Sequence, residues 1–257
     1  VIDIEGEVMG TNSFVWYELV TRDTAAAEKF YGKVVGWDTQ PFDGGSEPYK
    51  ILSMKGKGIG GLMKLPPGMS EPFWLGYVGT TDIDAAVARW KSSGGSLHRA
   101  FDIPNVGRIA LVSDAQGAGF AMIQGASDQP SQAFDQSAPG HGNWHELHTT
   151  DSKNAFDFYA RQFGWTKGPV FDMGATGAYQ LFAVGGVQIG GMMNSPSFPR
   201  PMWLYYFGTD NVDDAAKRIT GNGGVLLNGP SEVPGGSFIV QARDPQGGMF
   251  ALVGPRG

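Results

Sequence analysis

The chain has 257 residues, 41% of them hydrophobic and 17% charged, so material for a core is ample and disorder is not expected. A net charge of −6 and a pI near 5.2, with no Lys/Arg cluster, argue against nucleic acid or an anionic membrane surface as partner. Cysteine is absent, which excludes disulfides, thiolate metal sites and a cysteine nucleophile and fits a reducing cytoplasm.

No apolar run approaches the ~18 residues a membrane span needs, and nothing in the first residues resembles a signal peptide. Forty glycines and sixteen prolines point to many turns and many short strands. The first clear strand carries Val15-Trp16-Tyr17-Glu18-Leu19. Asp23 follows as a helix N-cap, with Ala26, Phe30 and Val34 recurring on one helical face. Strand-like segments are expected at 49–54 and 60–63. A second Asp-led helix starts at Asp82, with Ile83, Ala86, Val87 and Trp90 at helical spacing. Strands at 108–113 and 120–124 close this half of the chain. Residues 126–140 are small and polar with no sustained period, as expected of a linker.

Beyond the linker the pattern repeats. A shift of 128 lays Trp16 on Trp144, Phe30-Tyr31 on Phe158-Tyr159 and Gly36-Trp37 on Gly164-Trp165. A shift of 130 lays Tyr49 on Tyr179, Ile59-Gly60-Gly61 on Ile189-Gly190-Gly191, and Asp114-Ala115-Gln116-Gly117 on Asp244-Pro245-Gln246-Gly247. Trp74-Leu75 and Tyr77 fall on Trp203-Leu204 and Tyr206. A third helix is led by Asp151, ahead of Ala155, Phe158, Tyr159 and Phe163, and Asn211 takes the place of Asp82 before a fourth. The chain is therefore a tandem duplication, with copies at 11–125 and 141–255. Within each copy a weaker repeat splits the sequence into two β-α-β-β-β modules. The expected class is α+β.

The paired modules resemble the vicinal-oxygen-chelate (glyoxalase, bleomycin-resistance and dioxygenase) superfamily. The Asp-led helix with Phe30-Tyr31 and Gly36-Trp37 resembles its first-module pattern, and Asp244-Pro245-Gln246-Gly247 with Phe250 resembles its turn before the last strand. The two-copy layout is similar to an actinobacterial group labelled hydroxylase or secreted-antigen-like. The resemblance implies two domains, each with two β-α-β-β-β modules curled into a half-open barrel. It also implies a divalent metal held seven residues before each helix-leading Asp and four residues after each turn glycine. Those positions are Trp16, Leu75, Trp144 and Leu204, with Ala121 and Ala251, and every one is apolar. No cofactor is expected, a divalent metal being the alternative with Glu146 and His148 as weak candidate ligands. His141 supplies a third donor if the linker folds back. His145 and His148, three apart on a strand, face opposite sides.

Strand alternation puts Trp16, Glu18 and Val20 on the cavity face and Tyr17 and Leu19 against the helix. Trp144, Glu146 and His148 share the matching face, with Leu75, Tyr77, Leu204 and Tyr206 opposite. This yields Glu18, Glu146, Tyr77 and Tyr206 as candidate catalytic groups. Trp16, Trp144, Leu75, Leu204, Ala121 and Ala251 are candidate ligand-binding residues. The expected function is binding of a small, partly aromatic or apolar molecule without the usual metal. Lyase or dioxygenase chemistry through an unusual metal site or Glu/Tyr acid–base groups is the alternative. A cavity plugged by Trp, with Glu bonded to Tyr only to satisfy a buried carboxylate, is the structural counterpart. A monomer or homodimer fits equally. His98 is expected at the surface, Met63, Met192 and Met193 in the core, and the glycine-rich stretches 56–61 and 185–191 in turns and close backbone contacts rather than phosphate loops.

Overall fold

A computed structural model describes residues 11–257 apart from 46, 128, 175, 176 and 197. Four β-α-β-β-β modules follow one another. The first holds β1 (Phe14–Thr21), α1 (Thr24–Val34), β2 (Asp38–Phe42), β3 (Tyr49–Met54) and β4 (Lys57–Lys64). The second holds β5 (Phe73–Gly79), α2 (Ile83–Ser92), β6 (Ser96–Ile103), β7 (Gly107–Ser113) and β8 (Gly119–Gly125). The third holds β9 (Gly142–Thr149), α3 (Ser152–Phe163), β10 (Thr166–Asp172), β11 (Ala178–Val184) and β12 (Val187–Asn194). The fourth holds β13 (Met202–Gly208), α4 (Val212–Gly221), β14 (Val225–Glu232), β15 (Phe238–Arg243) and β16 (Met249–Gly254). Each copy forms one eight-stranded mixed sheet, in the orders β2-β3-β4-β1-β5-β8-β7-β6 and β10-β11-β12-β9-β13-β16-β15-β14. The α+β class and the duplication both stand. No described helix is long and apolar enough to cross a membrane.

The helix starts lie where the acidic and amide side chains place them. Asp23, Asp82 and Asp151 accept the amides of Ala26, Ala85 and Asn154 at 2.9–3.0 Å, and Asn211 accepts those of Asp213 and Asp214. Each satisfies donors that the first helical turn leaves open.

Contacts divide the chain into two compact units, each built from one module of each copy. One comprises Trp16–Leu75, Gln132–His145 and Leu204–Gly257; the other runs up to Val15 and includes Gly76–Ser131 and Glu146–Trp203. In the first, α1 packs on α4, and Arg218 Nε donates to the carbonyl of Val34, the last residue of α1, at 3.0 Å. In the second, α2 packs on α3, with the fully buried Trp90 ring edge-on to Phe158 at 4.5 Å. Burying an aromatic of this size contributes about 1.5–3 kcal/mol.

The recurring sequence motifs do this docking. Tyr31 donates its hydroxyl to Asp244 Oδ2 at 3.0 Å and receives Trp74 Nε1 at 3.2 Å. Tyr159 makes the same pair of bonds with Asp114 Oδ2 and Trp203 Nε1 at 3.0 and 3.1 Å. The other oxygen of each aspartate accepts two turn amides at 2.8–2.9 Å. Gln246 Oε1 and Nε2 then clasp the amide and carbonyl of Asp23, as Gln116 clasps those of Asp151. Trp37 Nε1 donates to Gly140 O and Trp165 Nε1 to Asn12 O, both at 2.7 Å. The segment ahead of β9 is thereby held in place: Ala133 is fully buried, and Gly140 N and His141 O pair with Gly208 at 2.8 and 2.9 Å.

Tyr17 corrects one expectation. It faces away from Glu18, but its ring meets strand residues of the other copy, Tyr205 and Phe207, and its hydroxyl lies 2.8 Å from His145 Nε2, where a helix contact was expected. Tyr17 and His145 are equivalent positions at the 128-residue shift, so the two copies meet here through the same position of each. Met192 is buried, Met63 and Met193 are half-buried and His98 is exposed.

Two outcomes follow for stability. Gly60 lies beside β1 in a parallel pair, and a Cβ there would sit 2.2 Å from Tyr17 O, whereas one at Gly119 meets nothing closer than 3.8 Å. Gly60→Ala should lose about 2–3 kcal/mol in urea unfolding and Gly119→Ala less than about 1 kcal/mol. Burial raises the Asp114 carboxyl above its ordinary value despite the amides bonded to it. The stability tied to this group is thus complete below about pH 4 and lost as pH climbs through the raised folded value. Asp114→Asn should gain stability relative to the unsubstituted chain between about pH 4 and pH 7, measured by parallel urea titrations.

Candidate functional site

Strand β1 carries Trp16 and Glu18 on one face, with Glu18 paired in register to Gly61 of β4. Glu18 is only 7% exposed, and an ionised carboxylate there needs a donor. The donor is Tyr49, whose hydroxyl bonds the Glu18 carboxylate and also receives Trp16 Nε1 at 3.0 Å. Gly61 makes this geometry possible, since a Cβ on it would lie 1.6 Å from the Tyr49 hydroxyl. Gly58 leaves room beside Trp16, whose ring edge lies 3.3 Å from where its Cβ would be, a tight contact and not a clash. Burial, then the neighbouring Glu18 charge, push the Tyr49 phenol well above its ordinary value.

The second copy repeats the core of this arrangement and adds to it. Tyr179 donates to Glu146 Oε2 at 3.0 Å, and a Cβ on Gly191 would lie 2.3 Å from the Tyr179 ring. The other carboxylate oxygen, Oε1, lies 2.8 Å from His148 Nε2, a close approach not aligned for a hydrogen bond. His148 Nδ1 meets Ser195 Oγ at 2.7 Å, and Phe198 stacks on the imidazole at 4.1 Å between centroids. Glu146 and His148 are buried, at 8% and 4% exposure, while Ser195 is partly open. The equivalent positions of the first copy hold Val20 and Leu65.

The remaining expected residues fall elsewhere. Leu204, Tyr206 and Ala251 form a buried apolar cluster on which Trp144 packs, and the Tyr206 hydroxyl receives Gln241 Nε2 at 2.6 Å. Tyr77 and Ala121 are paired across β5 and β8, both buried, and Leu75 is 9% exposed. Tyr77 and Tyr206 were expected across from the glutamates, but the hydroxyls that reach them belong to Tyr49 and Tyr179. The signal was present in the aligned tyrosines, Tyr49 and Tyr179, which pair with Met63 and Met193, two residues past each glycine pair.

His141 turns its Nδ1 to Pro139 O at 3.0 Å, within the linker, and among the described residues no group of three or more His, Asp or Glu side chains is placed to hold a metal ion. The positions where the resemblance implies metal ligands carry indole, alkyl and methyl groups. Divalent cations need oxygen or nitrogen donors, so these residues do not fit the usual metal.

Two eight-stranded sheets of paired β-α-β-β-β modules define a vicinal-oxygen-chelate fold. The sequence profile of the "Glyoxalase/Bleomycin resistance protein/Dioxygenase superfamily" matches residues 141–252. CFP32 of Mycobacterium tuberculosis (strain CDC 1551 / Oshkosh), provisionally named a glyoxylase, is 30% identical over 247 residues, 93% of this chain and 94% of the relative. The anthracycline biosynthesis protein DauV of Streptomyces sp. (strain C5) is 26% identical over 256 residues, 93% and 91% of the two chains. In structure, the 2,3-dioxygenase LapB of Pseudomonas sp. KL28 superposes with a TM-score of 0.70 at 10% identity, covering 98% of this chain and 94% of the other. The chain belongs to the glyoxalase/bleomycin resistance protein/dioxygenase superfamily.

Burial raises the phenols of Tyr17, Tyr31 and Tyr49 well above the ordinary value near 10. In a spectrophotometric alkaline titration at least three of the eight tyrosines should therefore resist ionisation until the fold opens. Eight phenols titrating together near pH 10 in a still-folded chain would contradict this account of the interior.

Proposed function

We propose that the chain binds a small, flat, partly aromatic molecule on the face that carries Trp16, Tyr49 and Glu18, without the divalent metal that the superfamily resemblance implies. One observation carries this reading: a half-buried indole is fixed by its Nε1 to Tyr49, whose hydroxyl is in turn held by the buried Glu18. The indole offers a stacking surface of fixed orientation, and the carboxylate offers an acceptor for a phenolic or amino group. Pre-orientation by this chain of bonds lowers the entropy lost when a ligand docks. The apolar groups at the expected ligand positions support a metal-independent site. Similarity to a protein named for anthracycline biosynthesis supports fused planar rings as the ligand class.

A lyase or dioxygenase reading draws on Glu146 and His148, whose donor atoms converge at 2.8 Å. Two side chains fall short of the three protein ligands that catalytic metal sites use. That reading therefore ranks second.

Calorimetric titration with a dihydroxyanthraquinone, alongside elemental analysis of protein purified without chelator, tests both. Saturable binding is expected, weakened at least about tenfold by Glu18→Gln, a loss of about 1.4 kcal/mol, and further by Trp16→Leu. Unchanged affinity in Glu18→Gln and Glu146→Gln would sink the proposal. One transition metal per chain, lost in His148→Gln, would put the second reading in its place.

A further inference from the structure

The second copy holds three side chains that the ligand reading does not use together. Ser195 follows β12, His148 is the penultimate residue of β9, and Glu146 lies two residues before it on the same face. Ser195 Oγ is 2.7 Å from His148 Nδ1, and His148 Nε2 is 2.8 Å from Glu146 Oε1. Tyr179 fixes the far oxygen of the carboxylate, and Phe198 lies flat on the imidazole. Only the serine is partly open, while the histidine and glutamate are buried.

We propose that Ser195 is a nucleophile activated by His148 and Glu146, making this end of the second sheet a site that reacts with acylating and phosphonylating electrophiles. Deprotonation of the hydroxyl places the proton on Nδ1, and the imidazolium that results faces a carboxylate across 2.8 Å of low-dielectric interior. The two ring nitrogens exchange the roles they take in most hydroxyl–imidazole–carboxylate sites, but the requirement is a hydroxyl on one nitrogen and an anion at the other. An imperfectly aligned histidine–glutamate contact is ordinary before substrate binds.

Duplication argues for a use. Glu and Tyr are kept in both copies, where pairing a buried carboxylate explains them. Val20 and Leu65 stand at the positions of His148 and Ser195 in the first copy, so the fold does not require the added pair. A second buried titratable ring also costs desolvation that an alkyl group does not.

The surroundings set the substrate class. The Ser195 amide is committed to Thr149 O at 2.9 Å and is not available to an oxyanion. Oxyanion donors are a large part of amide and alkyl-ester cleavage, so the site suits electrophiles with good leaving groups: aryl esters and fluorophosphonates. With a fluorophosphonate, the serine oxygen forms a bond to phosphorus and the phosphorus–fluorine bond breaks. Fluoride leaves with the electron pair, and the serine proton passes to His148 and on to solvent. With 4-nitrophenyl acetate, the acetyl group moves to the serine oxygen, 4-nitrophenolate leaves, and water later releases acetate.

This site shares Glu146 with the alternative above and does not rest on ligand binding at Trp16. The test is intact-mass and peptide mapping of the full chain after exposure to an alkyl fluorophosphonate. One phosphonyl group on Ser195 is expected, absent in Ser195→Ala and formed at least about 100-fold more slowly in His148→Gln. Since the chain has no cysteine, Ser195→Cys supplies a sole thiol for a second measurement. Its alkylation by iodoacetamide should be at least about tenfold faster than in the same variant carrying His148→Gln. No phosphonyl group on the folded protein, a group on another residue, or equal alkylation rates would each overturn the proposal. Anthraquinone binding that persists in that case would leave the Trp16 site standing.

Discussion

A carboxylate taken out of water must find hydrogen-bond donors or give up its charge. Glu18 and Glu146 impose that constraint at the middle of the two sheets, and much of the neighbouring structure answers it. A tyrosine must cross the adjacent strands to reach each one, so the strand between has to be stripped of side chains, which is the work of Gly61 and Gly191. The same crossing gives Trp16 a partner for its indole nitrogen. The glycine pairs are therefore a clearance built for an aromatic ring, and their lack of phosphate-loop order has a positive explanation in packing.

The two copies have answered the shared constraint differently. In the first, Trp16 and Val20 lie on the strand face of the acid, and alkyl residues, Val20 and Leu65, stand at the sequence positions of His148 and Ser195. In the second, Trp144 leans on Leu204, Tyr206 and Ala251 and closes an apolar cluster, while the acid faces an imidazole and a hydroxyl. Identical folding problems have thus led to one acid that shares its tyrosine with an indole and one that lies beside an imidazole. The superfamily's sheet geometry is kept in both, which is why fold alone does not select between them.

What was legible in the sequence follows the range of the interactions. The helix starts were readable because an N-cap acts over three residues, and the duplication because its motifs recur in order. The partners of Glu18 and Glu146 were half-legible. Tyr49 and Tyr179 align between copies and pair two residues past the glycine pairs, but their strands lie about thirty residues from the glutamates, and alternation alone favoured Tyr77 and Tyr206. Ser195 was not legible at all, because it sits past the end of β12, where no periodicity points it at His148. The motif Phe30-Tyr31 with Gly36-Trp37 was recognised as a family pattern. Its physical meaning, docking onto the other copy through Asp244 and onto the linker through Gly140, needed the fold.

Each compact unit draws one module from each copy, and the bonds from Tyr31 to Asp244 and from Tyr159 to Asp114 join halves that a short connecting segment keeps on one chain. Were the copies separate molecules, those bonds would form only by collision, and the folded fraction would rise and fall with dilution. The tether replaces dilution with an effective concentration set by its length, in the millimolar range for short connections. Covalent fusion makes the formation of these bonds between copies independent of how much of the protein a cell makes. It has also released the two sheets from having to be identical, since neither copy must serve as its own partner.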